Sequence, residues 1–132
     1  MLNTIDSLKI SLFYKTNIIE TVEKLYECNK KNNSDCREIS RFLKLSTIIE
    51  KRKDYETLDK LLDMINNYIF DNSDKKKDIL EKCENEECSI CISELKKNII
   101  KTKCGHYYHY SCIKKWEKQN NSCPLCRKKI SP

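Results

Sequence analysis

Eight metal-binding side chains in four pairs constrain the C-terminal third of this 132-residue chain more than any other feature. In order they are Cys88-x2-Cys91, Cys104-x-His106, His109-x2-Cys112 and Cys123-x2-Cys126, and they include both histidines of the protein. Thiolate sulfur and imidazole nitrogen are the ligands that close structural Zn²⁺ sites, which fill four tetrahedral positions. Eight such ligands make two closed sites. Since protein atoms would occupy every position, no coordinated water is left to activate, and the expected role of the metal is structural.

Energetics point the same way. The chain is 35% charged with a mean hydropathy of −0.73, and its C-terminal segment of roughly 45 residues has few large apolar side chains, too few to offset chain entropy alone. A structural zinc contributes about 10–16 kcal/mol. Metal, rather than a large core, is expected to fold this segment.

Nine cysteines, an odd number, fit a disulfide framework poorly. The opening MLNTIDSLKISLFYK lacks a basic start followed by an unbroken apolar run, and no stretch approaches the roughly 20 apolar residues of a membrane span. The expectation is an intracellular protein of the cytoplasm or nucleus (of a host cell, if the chain is viral), with no membrane contact. The formal charge of +6 divides into +1 for residues 1–80 and +5 for residues 81–132. Six thiolates on two Zn²⁺ change the second figure by roughly −2, which leaves only a weak basic argument for nucleic acid.

Residues 1–84 read as an all-α region. Apolar residues recur near the helical period at Ile18, Val22 and Leu25, at Ile39, Phe42 and Leu43, and at Tyr55, Leu58, Leu61, Leu62, Ile65 and Ile69. Asn17 with Glu20 and Asp35 with Glu38 have capping-box spacing and predict helix starts, with a short leading helix over 4–14. DNSDKKKD, residues 71–78, predicts a break followed by a brief helix to about Cys83. Three or four short helices result. The composition changes at about residue 85, beyond which the single glycine and both prolines lie. Two domains are expected, 1–84 helical and 85–132 metal-bound.

The ligand order C-C-C-H-H-C-C-C over residues 88–127 resembles the RING-H2 finger of RING-type E3 ubiquitin ligases. A PHD finger would have four cysteines before one histidine, and a U-box no ligands. The resemblance implies a small α+β cross-brace domain with two Zn²⁺. Cys88, Cys91, His109 and Cys112 would hold one ion, and Cys104, His106, Cys123 and Cys126 the other. His106 and His109 would then be close in sequence because each serves a different ion.

The resemblance also implies a mechanism without a covalent intermediate, in which the finger binds a ubiquitin-charged conjugating enzyme and holds the thioester in a reactive geometry. The family's contact surface maps to Ile90, Trp116, Pro124 and Leu125, and its cationic linchpin to Arg127. Tyr108, where the family usually carries Phe, and Ile113 are assigned to the small core. Thr102-Lys103 departs from the family's usual Leu-Pro before Cys-Gly-His. Cys28, Cys36 and Cys83 are left over, with no unassigned histidine to activate them as nucleophiles. The implied partners are a conjugating enzyme, ubiquitin, and a protein substrate recruited by the helical region, which could also form a homodimer. Alternatives are an inactive RING adaptor or dimerisation module, and, less favoured, a nucleic-acid-binding zinc protein.

Overall fold

The structure is a computed structural model that describes residues 4–31 and 37–130. The backbone divides into two compact units, Met1–Ile65 and Asn66–Pro132. Among the described residues no helix is long and apolar enough to cross a membrane.

In the first unit, α1 (Thr4–Lys31) is one continuous helix of 28 residues. This corrects the expected helix start at Asn17 and Glu20: both lie inside α1, and Asn17 is buried. The cap signal loses because an apolar stripe runs straight through it. Tyr14, Ile18, Thr21, Leu25 and Cys28 are buried at alternating spacings of four and three, and their packing outweighs a local preference worth about 1 kcal/mol. The second expected cap, Asp35, lies outside the described residues, as does Cys36.

Helix α2 (Arg37–Lys51) buries Phe42, Ser46 and Glu50 at four-residue intervals, while Leu43 faces outward. Ser46 returns its hydroxyl to the Phe42 carbonyl at 2.7 Å, and Ser11 on α1 donates to the Glu50 carboxylate. These bonds let polar side chains sit in the interface without an unsatisfied group.

The turn out of α2 is compact. Lys53 takes the left-handed conformation (φ 59°), and its N–H and that of Asp54 reach back to Glu50 O and Ile49 O, a Schellman stop. Asp54 then caps α3 (Tyr55–Asp71), accepting from the N–H and hydroxyl of Thr57. Those two bonds, the hydroxyl one first, hold its carboxyl below the usual range. In the first part of α3, Leu58 is buried, and Tyr55 stacks on Tyr14 with ring centroids 4.5 Å apart. The Tyr14 hydroxyl donates to Asp59 at 2.7 Å.

The second unit contains the end of α3, then α4 (Lys76–Lys82), β1 (Ile99–Lys101), β2 (Tyr107–His109) and α5 (Tyr110–Glu117). The strands pair antiparallel with Ile99 opposite His109, Ile100 opposite Tyr108 and Lys101 opposite Tyr107. One cluster forms the core: Phe70, Cys83, Cys88, Leu95, Ile99, Tyr108, Ile113, Cys123 and Ile130, with Ile79, Leu80 and Trp116 packed against it. The cluster therefore reaches back past residue 85, where the composition changes, to take in Phe70, Ile79, Leu80 and Cys83. Burial raises the Cys83 thiol pKa, so this leftover cysteine is an inert core side chain.

Candidate metal centres

Two loops of the same design carry the first and last ligand pairs. In the first, the Cys88 N–H donates to Ser93 O and the Ile92 N–H to Cys88 O; in the second, Cys123 N–H donates to Lys128 O and Arg127 N–H to Cys123 O. Ile92 (φ 61°) and Arg127 (φ 62°) both adopt the left-handed conformation just after the second cysteine, and a single bridge closes each loop, Glu87 with Glu94 and Ser122 with Lys129. Each turn thereby aims two sulfurs at one point. The other ligands sit where the short hairpin bends: Cys104 and His106 flank Gly105 (φ 90°), whose backbone conformation disfavours any side chain although space for one exists. His109 ends β2, and Cys112 lies in the first turn of α5.

The fold gathers the eight ligands into Cys88, Cys91, His109, Cys112 and Cys104, His106, Cys123, Cys126, the donor atoms of each set lying within 4.8 Å of one another. A tetrahedral zinc with Zn–S about 2.3 Å and Zn–N about 2.0 Å separates sulfur from sulfur by about 3.8 Å and sulfur from nitrogen by about 3.5 Å. Observed Sγ–Nδ1 separations are 3.3 Å for Cys91–His109, 3.9 Å for Cys112–His109, and 3.3 Å for both Cys104–His106 and Cys123–His106. These are edges of two tetrahedra, and both histidines turn Nδ1 inward.

Titration chemistry agrees that each set is built for a cation. Burial works against the Cys91 thiolate, but bonds from the Ser93 backbone and hydroxyl bring it down to about 6. Cys112, in the same set, is pushed up to about 12 by burial and then by the neighbouring Cys91 and Cys88. Three crowded thiols cannot all ionise side by side unless a divalent ion neutralises them. The residues fit two structural Zn²⁺ ions.

Groups behind the ligands orient them. His109 Nε2–H points at Glu94 O, 3.1 Å away, which leaves the Nδ1 lone pair facing the sulfurs. Tyr108 places its hydroxyl 2.9 Å from Cys123 Sγ. Burial is the main obstacle to the Cys123 thiolate, and that hydroxyl together with the Cys126 and Leu125 N–H groups overcomes it, giving about 6. Thr102 has a role that residue types alone did not disclose. Its hydroxyl lies 2.9 Å from Cys104 Sγ and also bridges the backbone of His106. This hydrogen bond is the chief cause of the lowered Cys104 thiol pKa.

Replacing Thr102 by Val keeps the volume and removes the hydroxyl. The expected result is a loss of about tenfold in zinc affinity at the second site. With a chromophoric chelator, one zinc of two should leave earlier while the release rate of the other is unchanged. Equal release of both, as in the parent protein, would contradict the role assigned to Thr102.

A model of the Ring finger domain family matches residues 86–127. Residues 86–127 are a RING-H2 finger. The chain is 44% identical over 50 residues to RING-H2 finger protein ATL5 of Arabidopsis thaliana, covering 36% of this chain and 20% of that protein. It is also 44% identical over 50 residues to Probable E3 ubiquitin-protein ligase XERICO of the same plant, covering 36% of this chain and 31% of that one. Human RING finger protein 145 is 44% identical over 50 residues, 38% of this chain and 7% of its own length. The similarity thus spans about a third or less of each relative.

Within the RING-H2 finger, Ile90 sits at the tip of the first loop, half-buried against the core. Pro124 and Leu125 form the corresponding tip of the second loop, with Leu125 exposed. Trp116 lies on the last turn of α5 and donates Nε1–H to Ser122 O, tying helix to second loop. Arg127 is exposed.

Proposed function

We propose that the protein is a RING-type E3 ubiquitin ligase that binds a ubiquitin-charged conjugating enzyme through Ile90, Trp116, Pro124 and Leu125. The observation that carries this reading is the pair of interleaved Cys/His clusters, which present both loop tips and α5 on one metal-braced frame. Catalysis by such a frame is positional. Its contribution is to restrict the thioester conjugate to conformers from which a substrate lysine can attack. The reading assigns no nucleophile to the ligase: among the described residues the cysteines outside the metal clusters, Cys28 and Cys83, are buried, and both histidines belong to the clusters.

Arg127 is the proposed linchpin. A planar guanidinium can donate to carbonyls on the conjugating enzyme and on ubiquitin together, whereas an ammonium acts as a point charge. Residues 1–84 are the proposed region for recruiting substrate or for self-association, and residues 85–132 the proposed transfer module.

Zinc-loaded protein, ubiquitin, activating enzyme and a panel of conjugating enzymes test the proposal directly. Chain formation with at least one of the panel is expected. Arg127→Ala should slow discharge by about tenfold, or about 1.4 kcal/mol, with conjugating-enzyme affinity unchanged, and Arg127→Lys should restore part of the rate. No transfer with any conjugating enzyme would overturn the ligase reading and favour an inactive adaptor.

A further inference from the structure

Helix α1 has two apolar stripes, and only one of them is used by the core of its unit. Along the first, Tyr14, Ile18, Thr21, Leu25 and Cys28 are buried. The second runs through Ile5, Leu8, Leu12, Lys15, Ile19, Val22 and Tyr26, with spacings alternating three and four. At 100° per residue the two stripes lie about 130° apart around the helix axis. Along the second stripe Ile5 is 64% exposed, Leu8 65%, Leu12 65%, Ile19 57% and Tyr26 49%. Six of the seven positions are apolar, and the pattern holds for three heptads, about 33 Å of helix. Toward its C-terminal end the stripe widens into a shallow groove lined by Val22, Tyr26 and Ile39 and edged by Glu23 and Glu27.

We propose that this stripe is a coiled-coil seam and that its occupant is a second copy of the same chain, antiparallel to the first. The charges around the seam carry the choice. Lys9 and Lys15 lie in its first half, Glu23 and Glu27 in its second, and all four are exposed. A twofold axis at about residue 17 places Leu8 of one copy against Tyr26 of the other, and Leu12 against Val22. It also brings Lys9 beside the acidic edge at Glu23 and Glu27, so the groove receives an apolar side chain and a cation from the same turn. Parallel pairing in register would instead oppose Lys15 to Lys15 within the seam and keep Lys9 two heptads along the axis from Glu23. Self-complementarity under a twofold is the mark of an isologous dimer, and the lone Lys15 within an apolar seam selects orientation in the way polar seam residues do. A lipid surface is the poorer fit, because anionic headgroups would meet Glu23 and Glu27 along the border of the stripe.

Sedimentation equilibrium of the full zinc-loaded chain tests the seam independently of ubiquitin transfer. A mass twice the chain's 15.7 kDa is expected. Ile19→Glu should weaken dimerisation at least tenfold, with helical circular dichroism and zinc content unchanged because Ile19 lies outside the core. Lys9→Glu should also weaken it, and Glu23→Lys with Glu27→Lys in the same chain should restore it. A monomer at every attainable concentration, or a dimer indifferent to Ile19→Glu, would overturn the seam; failure of the charge exchange to rescue would overturn the antiparallel arrangement.

Discussion

Removing zinc is expected to unfold the second unit while the helices of the first persist. A structural zinc contributes about 10–16 kcal/mol, which exceeds the few kcal/mol a core of this size supplies. Cys88 and Cys123 are at once ligands and fully buried members of the core cluster, so metal loss also frees two side chains around which the cluster packs. The first unit has no such ligand cluster among its described residues. Its core of Tyr14, Ile18, Leu25, Phe42, Leu58 and Leu62 is made of ordinary side chains.

Trp116 is the only tryptophan and lies in the metal-bound unit, so its emission reports that unit alone. Chelation should shift the emission to the red and abolish its thermal transition, with most of the far-ultraviolet helical signal retained. Cys123→Ala should reproduce the effect without chelator. A tryptophan signal and transition that survive complete metal removal would sink the account of how this segment folds.

The second large effect concerns the loop tips. Central apolar anchors of an interface cost about 2–4 kcal/mol when removed, or roughly 30- to 1,000-fold in binding. Trp116→Ala is a blunt instrument, because Trp116 also packs on the core and bonds Ser122 O. Leu125 is 57% exposed, so Leu125→Glu should leave zinc content and melting temperature unchanged. It should nevertheless reduce conjugating-enzyme binding and ubiquitin discharge by at least 30-fold. Ile90→Ala should have a smaller effect of the same sign. Discharge at the parental rate by zinc-replete Leu125→Glu would remove the loop tips from the proposed docking surface.

The ligand sets needed nothing beyond the order of residues and the family they resemble, since cysteine and histidine advertise their chemistry by type. The hydroxyls behind them did not. Thr102 stood out only as a departure from the family's usual Leu-Pro, and Tyr108 as a substitution for Phe. Their roles depend on hydrogen bonds 2.9 Å long to Cys104 and Cys123, which form only when the hairpin closes. Likewise the left-handed turns at Ile92 and Arg127 carry neither glycine nor asparagine to announce them; closure of each loop imposes them.

The helical region shows the same division from the other side. Periodicity showed that the region before the finger is helical in character, and the break over DNSDKKKD matches the end of α3 at Asp71 and the start of α4 at Lys76. It could not show that Asn17 sits inside a 28-residue helix, because a capping preference is local and small beside the burial of a whole stripe. Nor could it choose between the two apolar stripes of α1, which are nearly equal as patterns. Sequence alone determined which side chains can bind metal and that helices precede the finger, both properties of residue type and spacing. Tertiary packing alone decided which helix face is covered, because burial depends on what the rest of the chain brings against it.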